Sequence, residues 1–303
     1  MRRAKGIRMD GVLVLDKPQG LTSNGALQRV KRLFNAAKAG HTGSLDPLAT
    51  GVLPLCFGEA TKFSQHLLEA DKGYVASAKL GVITNSGDAD GEVVETRALP
   101  EDLTRERLEA VLAQFRGPIE QVPSMFSALK QNGRPLYELA RQGIEVERPA
   151  RPVMIHRLEL LGFDGDTFEI DVLCSKGTYI RSLVEDIGLA LGCGAHVTAL
   201  RRTQAGLFDL SHALTLEEIE ARLEQGAPAQ SLLRPTDVLL DALPIIALNP
   251  EQAVSLLQGQ PVTLADATPK GLVRVYDADR FIGLAERLPD GRVQPRRLAN
   301  TAP

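Results

Sequence analysis

The chain alternates between short apolar runs and polar breaks, and the spacing of its apolar residues changes from one segment to the next. Val12-Leu13-Val14-Leu15 is continuous enough to predict a short buried strand over 11–15. Pro18 and Gly20 then turn the chain, and Thr22 or Ser23 caps a helix with Leu27, Val30, Leu33 and Phe34 on one face. Alternation over 74–82 and 92–97 predicts two strands joined by the polar turn 85–91. A helix from Thr104 buries Leu108, Val111, Leu112 and Phe115, and Gly117-Pro118 stops it. Strands over 153–162 and 167–174 lead into a helix that Thr178 caps and Gly192 closes. Thr215-Leu216-Glu217-Glu218 is a capping box for a further helix that ends at Gly226.

Two stretches have no clean period. Residues 40–54 are dense in Gly and Pro and read as a structured loop. Residues 123–152 carry four prolines among scattered basic residues and read as an insertion. From about 250 the texture changes: Asn249-Pro250 starts a short helix that stops at Gly259, and β-rich runs follow at 261–264, 271–277, 281–286 and 292–298. Long strands without regular βαβ alternation predict an α+β body, with a mixed, largely antiparallel sheet and a small C-terminal β domain.

Length and composition narrow the function classes. A chain of 303 residues suggests about two domains. Its 44% hydrophobic and 24% charged residues are those of a globular protein. Three cysteines without a C-x-x-C spacing argue against a disulfide framework or zinc ribbon and suit a reducing cytoplasm. The apolar run at 12–15 is too short for a signal peptide, and no stretch approaches the ~18 apolar residues of a membrane span. A soluble cytoplasmic protein without a membrane partner is the expectation. The net charge of −3 hides a segregation. Residues 1–40 stand at +7 and 124–157 at +3, whereas 84–111 and 205–250 each stand at −5. A polyanion responds to the local field, so a nucleic-acid partner remains open, gripped through backbone and shape since Trp is absent and aromatics are only 4%.

Dinucleotide, P-loop and nucleophile-elbow motifs are missing, and the five histidines lie at least sixteen residues apart. The segment 86–91 resembles the start of a calcium loop, but Arg97 stands where the bidentate Glu belongs. No cofactor or metal is therefore expected. Gly40-His41-Thr42-Gly43-Ser44-Leu45-Asp46-Pro47-Leu48-Ala49-Thr50-Gly51 surrounds a lone carboxylate with glycines and a proline. Asp46 reads either as the cap of a short helix begun by Pro47 and ended by Gly51, or as a reactive group. With Thr178 as cap, Arg181 falls at the third helical position, where a cation opposes the helix dipole at about 0.3–1 kcal/mol. Either solvent or a carboxylate from elsewhere, such as Asp46, compensates it.

Three blocks carry a family resemblance: 11–23 with its Asp16-Lys17-Pro18, 40–62, and 174–183. Together with Asp71-Lys72-Gly73-Tyr74 and Leu200-Arg201-Arg202, in this order and spacing, they resemble the bacterial TruB family of tRNA pseudouridine-55 synthases over roughly 10–300. The resemblance implies a pseudouridine synthase fold over 10–248 with a thumb-like insertion at about 123–152, behind a basic leader at 1–9. A PUA-like RNA-binding domain over 249–303 follows. It implies isomerisation of the uridine at position 55 in the tRNA T loop after base flipping, without a cofactor, by a monomer. Asp46 is implied as the catalytic aspartate, by attack on C1′, addition to the base or abstraction of a sugar proton. Tyr74 would stack on the target base and assist deprotonation at C5, and Arg181 would pair with Asp46. Lys17 and Lys62 are implied as supporting residues or phosphate contacts, His41 as stacking within the RNA loop, Asp88 and Tyr179 as contacts near the target nucleotide, and Leu200 as the pocket wall. The rival expectations are a non-catalytic RNA chaperone and a glycosidase-like hydrolase, although the latter usually needs two placed carboxylates.

Overall fold

The computed structural model describes residues 6–264 and 270–300. The first five residues of the basic leader, and the last three of the tail, lie outside that set. Residues 6–9 are tied to the body, with the Ile7 amide donating to the Asn35 carbonyl at 2.6 Å.

The described residues build a nine-stranded sheet. Its strands run in the order Gly11–Lys17, Thr50–Phe57, Ala195–Ala205, Lys72–Leu80, Thr167–Cys174, Arg151–Asp164 and Gly117–Gln121. Two short strands, Ala39–His41 and Phe208–Asp209, add to Thr50–Phe57 and Ala195–Ala205. Every pairing is antiparallel except a two-residue parallel contact of Arg201 with Thr50 and Arg202 with Gly51, so the mixed, largely antiparallel α+β expectation holds. Both faces are covered, and Gly11–Lys17 shows why its sequence does not alternate. Leu13 and Leu15 enter a core beneath the helices Ser23–Leu33 and Ile180–Leu191, while Val12 and Val14 enter a second core on the opposite face.

Local signals place the helices. Thr22 accepts from the Gly25 amide to cap Ser23–Leu33, and Thr104 does the same for Arg105–Ala113 through Arg107. Leu33 is exposed and leaves the face that Leu27 and Val30 bury. The capping box at Thr215 and Glu218 starts Leu216–Glu224, and Asn249 with Gln252 forms another before Pro250–Leu257.

Three sequence expectations need correction, and one is filled in. Much of 40–54 is strand, because Thr50–Phe57 pairs with Gly11–Lys17. Lys72–Leu80 does not pair with 92–97; its neighbours are Thr167–Cys174 and Ala195–Ala205, and the hairpin across the 85–91 turn joins Val82–Thr84 to Val93–Thr96. Tyr179, not Thr178, precedes the Ile180–Leu191 helix; the Thr178 hydroxyl donates to the Ser175 carbonyl instead. The insertion holds a small hairpin, Lys130–Gln131 with Arg134–Pro135, and the helix Leu136–Ala140.

A second sheet of five strands, ordered Ile245–Leu248, Gly271–Asp277, Arg280–Arg287, Arg292–Leu298 and Val262–Thr263, forms the C-terminal part. Phe281, Leu284 and Ala299 leave it to share the second core with Phe63, Leu67, Phe208 and Leu239. Polar contacts close the same seam. Glu59 pairs with Lys62 and accepts from the Asn300 amide, Lys62 donates to the Leu298 carbonyl at 3.0 Å, and Arg8 reaches the Asn300 carbonyl.

Candidate active site

Asp46 sits in the loop between Ala39–His41 and Thr50–Phe57, and that loop is not a helix. The Ala49 amide donates to the Asp46 carbonyl at 3.1 Å in a single turn, and the cap reading fails. Tertiary hydrogen bonds fix the backbone instead. The Ser23 hydroxyl accepts from the Leu45 amide at 2.6 Å and donates to the Leu45 carbonyl at 3.1 Å. The Gly20 amide donates to the Pro47 carbonyl at 2.8 Å. Lys17, 0% exposed, donates to the Pro18 and Leu21 carbonyls at 2.9 and 2.7 Å and reaches Pro47 at 3.5 Å. These bonds tie the end of the first strand to the turn after it and to the Asp46 loop, and the side chain is sealed from solvent. Burial brings its pKa down to about 8.

Arg181, 5% exposed on its side chain, stands at the second position of Ile180–Leu191 and not the third. Its Nε lies 3.0 Å from Asp46 Oδ2 and 3.6 Å from Asp88 Oδ2. The remaining guanidinium nitrogens donate to the Ser86 carbonyl at 2.7 Å and the Phe126 carbonyl at 2.8 Å. A cation that opposes the helix dipole is therefore held by two carboxylates and two carbonyls. Asp88, with 6% of its side chain exposed, is set by the Ser86 hydroxyl at 2.6 Å and the Asp90 amide at 3.2 Å. Asp46 keeps 39% of its side chain open, which leaves it as the carboxylate of the pair that can meet a ligand. Burial raises its pKa above the usual carboxylate range and the Asp88 charge adds to the rise, while Arg181 and Lys17 oppose it.

The neighbouring strands bring the aromatic and apolar walls. Tyr74 is buried on Lys72–Leu80 opposite Arg202. Its phenol pKa is raised by burial; the Asp46 charge adds to this and the Arg202 guanidinium opposes it. Leu200, two residues from Arg202 on the same face, is buried opposite Ala76. Tyr179 is half-buried, and burial likewise raises its phenol, with the charges of Arg181 and Asp46 within reach. His41 ends the strand before the loop; its Nδ1 is buried without a partner, and burial lowers its pKa.

Asp46, Arg181, Asp88, Tyr74 and Tyr179 thus converge, with Leu200 beside them. Lys62 does not join them. Its contacts are Glu59 at 2.6 Å and the C-terminal strand. Two residues escaped sequence reasoning. Buried Gln121 holds the peptide groups of Tyr179 from both sides, donating to its carbonyl at 3.0 Å and accepting from its amide at 2.7 Å. Buried Arg202, noted only as part of a motif, donates to the Gly43 and Ser44 carbonyls of the Asp46 loop and to the Val52 carbonyl of the strand that follows it. Both act on backbone distant in sequence, which leaves no local pattern to detect.

Residues 31–180 match the N-terminal domain of the TruB family pseudouridylate synthases. Residues 181–241 match the tRNA pseudouridylate synthase B C-terminal domain, and 244–299 match the pseudouridine synthase II TruB C-terminal region. The chain is 57% identical over 306 residues to the tRNA pseudouridine synthase B of Ectopseudomonas mendocina, covering 99% of both chains. The chain belongs to the TruB family of pseudouridylate synthases. The same name belongs to a Stutzerimonas stutzeri protein 59% identical over 304 residues, covering 98% of this chain and 99% of that one. Among solved structures, one in a Cbf5–Nop10–Gar1 complex is 28% identical with a TM-score of 0.71, covering 95% of this chain and 84% of the other. Another, from an H/ACA RNP bound to a substrate RNA containing 2′-deoxyuridine, is 25% identical with a TM-score of 0.72 and covers 99% and 91%. In this TruB-family chain the second carboxylate, Asp88, is consumed by Arg181 and Ser86, which does not favour the two-carboxylate hydrolase reading.

Proposed function

We propose that this chain isomerises the uridine at position 55 in the T loop of tRNA to pseudouridine. The observation that carries the reading is the ion pair of Asp46 with buried Arg181, set in a family whose relatives are named for that chemistry. The N1–C1′ glycosidic bond breaks, the uracil turns, and C5 joins C1′. The C5 proton is lost and N1 gains one, so the product is an isomer. Asp46 is the ionised group at the reacting nucleoside, and Arg181 keeps it ionised where burial would neutralise it. Tyr74 lies against the base, Leu200 walls the pocket, and His41 and Tyr179 line the approach for RNA.

The uridine must leave its stack to reach Asp46, at a cost of a few kcal/mol. Basic residues of the 123–152 insertion and of the N-terminal segment repay part of that through phosphate contacts. The insertion is the thumb. Its root is already fastened to the Ile180–Leu191 helix, with Arg181 donating to Phe126 and Ser182 to the Val122 carbonyl at 3.3 Å. The small C-terminal domain, PUA-like, whose sheet already begins with Ile245–Leu248 and not after the expected boundary at 249, adds RNA surface, with Lys62 at its seam. The protein works as a monomer in the cytoplasm. The test is tritium release from C5-labelled uridine in a T-arm stem-loop. Wild type releases tritium, and Asp46→Asn loses turnover while a gel shift shows the stem-loop still bound; undiminished turnover refutes the reading.

A further inference from the structure

We infer that Arg202 is a positioning residue for this reaction, locking the loop that carries Asp46 to the strand that carries Tyr74 through the carbonyls of Gly43, Ser44 and Val52. The inference rests on the proposed reaction only for its kinetic readout. Arg202 is 1% exposed, among the largest fully buried side chains of the fold. A buried cation is costly, and an apolar side chain of similar volume often packs better. Here, among the described residues, no carboxylate pairs with the charge: the guanidinium is held by carbonyls and by a hydrogen bond with the Tyr74 phenol. Nε donates to Val52 at 2.6 Å, and the two terminal nitrogens reach Gly43 at 3.3 Å and Ser44 at 3.5 Å.

Those carbonyls lie on either side of Asp46 in the chain, two before it and one after. One planar group therefore gathers both ends of the loop, and its fork fixes their separation in a way a single ammonium does not. The backbone of Arg202 supplies the other half of the lock. It pairs with Tyr74 on one side and with Gly51 on the other. The parallel contact to Gly51 extends over two residue pairs, and the Arg202 side chain adds to it at Val52, beside the bonds that Ser23, Gly20 and Lys17 make to the loop. Gly51 makes the approach possible: its φ is +101°, and a Cβ there would lie 2.2 Å from the Arg202 carbonyl oxygen. The guanidinium also stands close enough to Tyr74 and His41 to act on the ionisation of both. It does not touch the Asp46 carboxyl, which belongs to Arg181.

The test uses the full chain with Arg202→Lys, which keeps the charge, and Arg202→Gln, which keeps hydrogen bonding. With the C5-labelled T-arm stem-loop, both variants should lose kcat by at least about tenfold, since displacement of a reacting group by 1 Å costs this much or more. KM should stay within about twofold, because uniform binding is untouched. Hydrogen exchange of the Leu45 and Ala49 amides should quicken by about tenfold or more while amides of the Thr167–Cys174 strand keep their protection. Unchanged kcat, a rise in KM with kcat retained, or unchanged exchange at Leu45 and Ala49 overturns the inference. Failure of both variants to fold also overturns it, because Arg202 is then a determinant of the fold alone. Absence of tritium release from wild type counts against the reaction instead, and the exchange arm still decides the inference.

Discussion

Removing Arg181 should move the pH dependence of turnover, and the size of the movement follows from the geometry. Arg181 Nε is 3.0 Å from Asp46 Oδ2, which places the two charge centres about 4 Å apart. At an effective dielectric constant near 20 that separation is worth roughly 4 kcal/mol. Asp46 keeps 39% of its side chain open, and solvent screening reduces the figure to about 1.5–3 kcal/mol. Arg181→Met should therefore raise the Asp46 pKa further. The sign is fixed: a lost cation disfavours the carboxylate, and the carboxylate is the working form. The acid limb of kcat therefore moves to higher pH, activity near neutrality falls, and part of it returns in alkali. Arg181→Lys, which keeps a charge, should move the limb less. Loss of Arg181 also strands Asp88, whose carboxyl is 6% exposed, at about 3–5 kcal/mol of stability, so melting curves accompany the kinetics. Tritium release from the labelled stem-loop across about pH 5.5 to 9 provides the measurement. A uniform fall in kcat with an unmoved acid limb would refute electrostatic support and leave Arg181 a geometric role only.

Glu185, pushed up to about 7 by burial, binds more protons folded than unfolded between about pH 4.5 and 7 and so costs stability as pH rises through that window. Glu185→Gln should be stabilised relative to wild type at pH 8 and less so at pH 5; equal differences in urea unfolding at the two pH values would contradict this. Lys17, with its pKa brought down to about 8, binds fewer protons folded than unfolded between about 8 and 10.5, so stability rises with pH there. The margin of wild type over Lys17→Met should widen between pH 7 and 9.5, by no more than about 1.4 kcal/mol per pH unit. Gly51→Ala should cost about 2–5 kcal/mol, combining a positive φ with overpacking against the Arg202 carbonyl, and the melting temperature reports it.

Elements with local signatures were legible. Thr22, Thr104, Thr215 and Asn249 cap their helices through their own side chains, as their spacing implies. The central strand Ala195–Ala205 was not read, because its character is set by its place between Thr50–Phe57 and Lys72–Leu80; Arg201 and Arg202 break any apolar alternation there. Arg181 was legible as an anomaly, a cation at a helix start, and the ion pair to Asp46 resolves it even though the helix begins one residue later than the caps suggest. Asp46-Pro47 misled as a cap because the hydrogen bonds that hold the loop come from Ser23 and Arg202, far along the chain. Tertiary partners outweighed the local preference of the dipeptide.

The apolar seam between the two sheets has a bearing on how this protein can be dissected. Phe281, Leu284 and Ala299 seal Phe63, Phe208 and Leu239, so severing the chain near residue 243 would bare matching greasy surfaces on both fragments. Neither half should stay dispersed by itself, and a truncation meant to isolate the catalytic body would be expected to precipitate unless Phe63 and Phe208 were replaced by polar side chains.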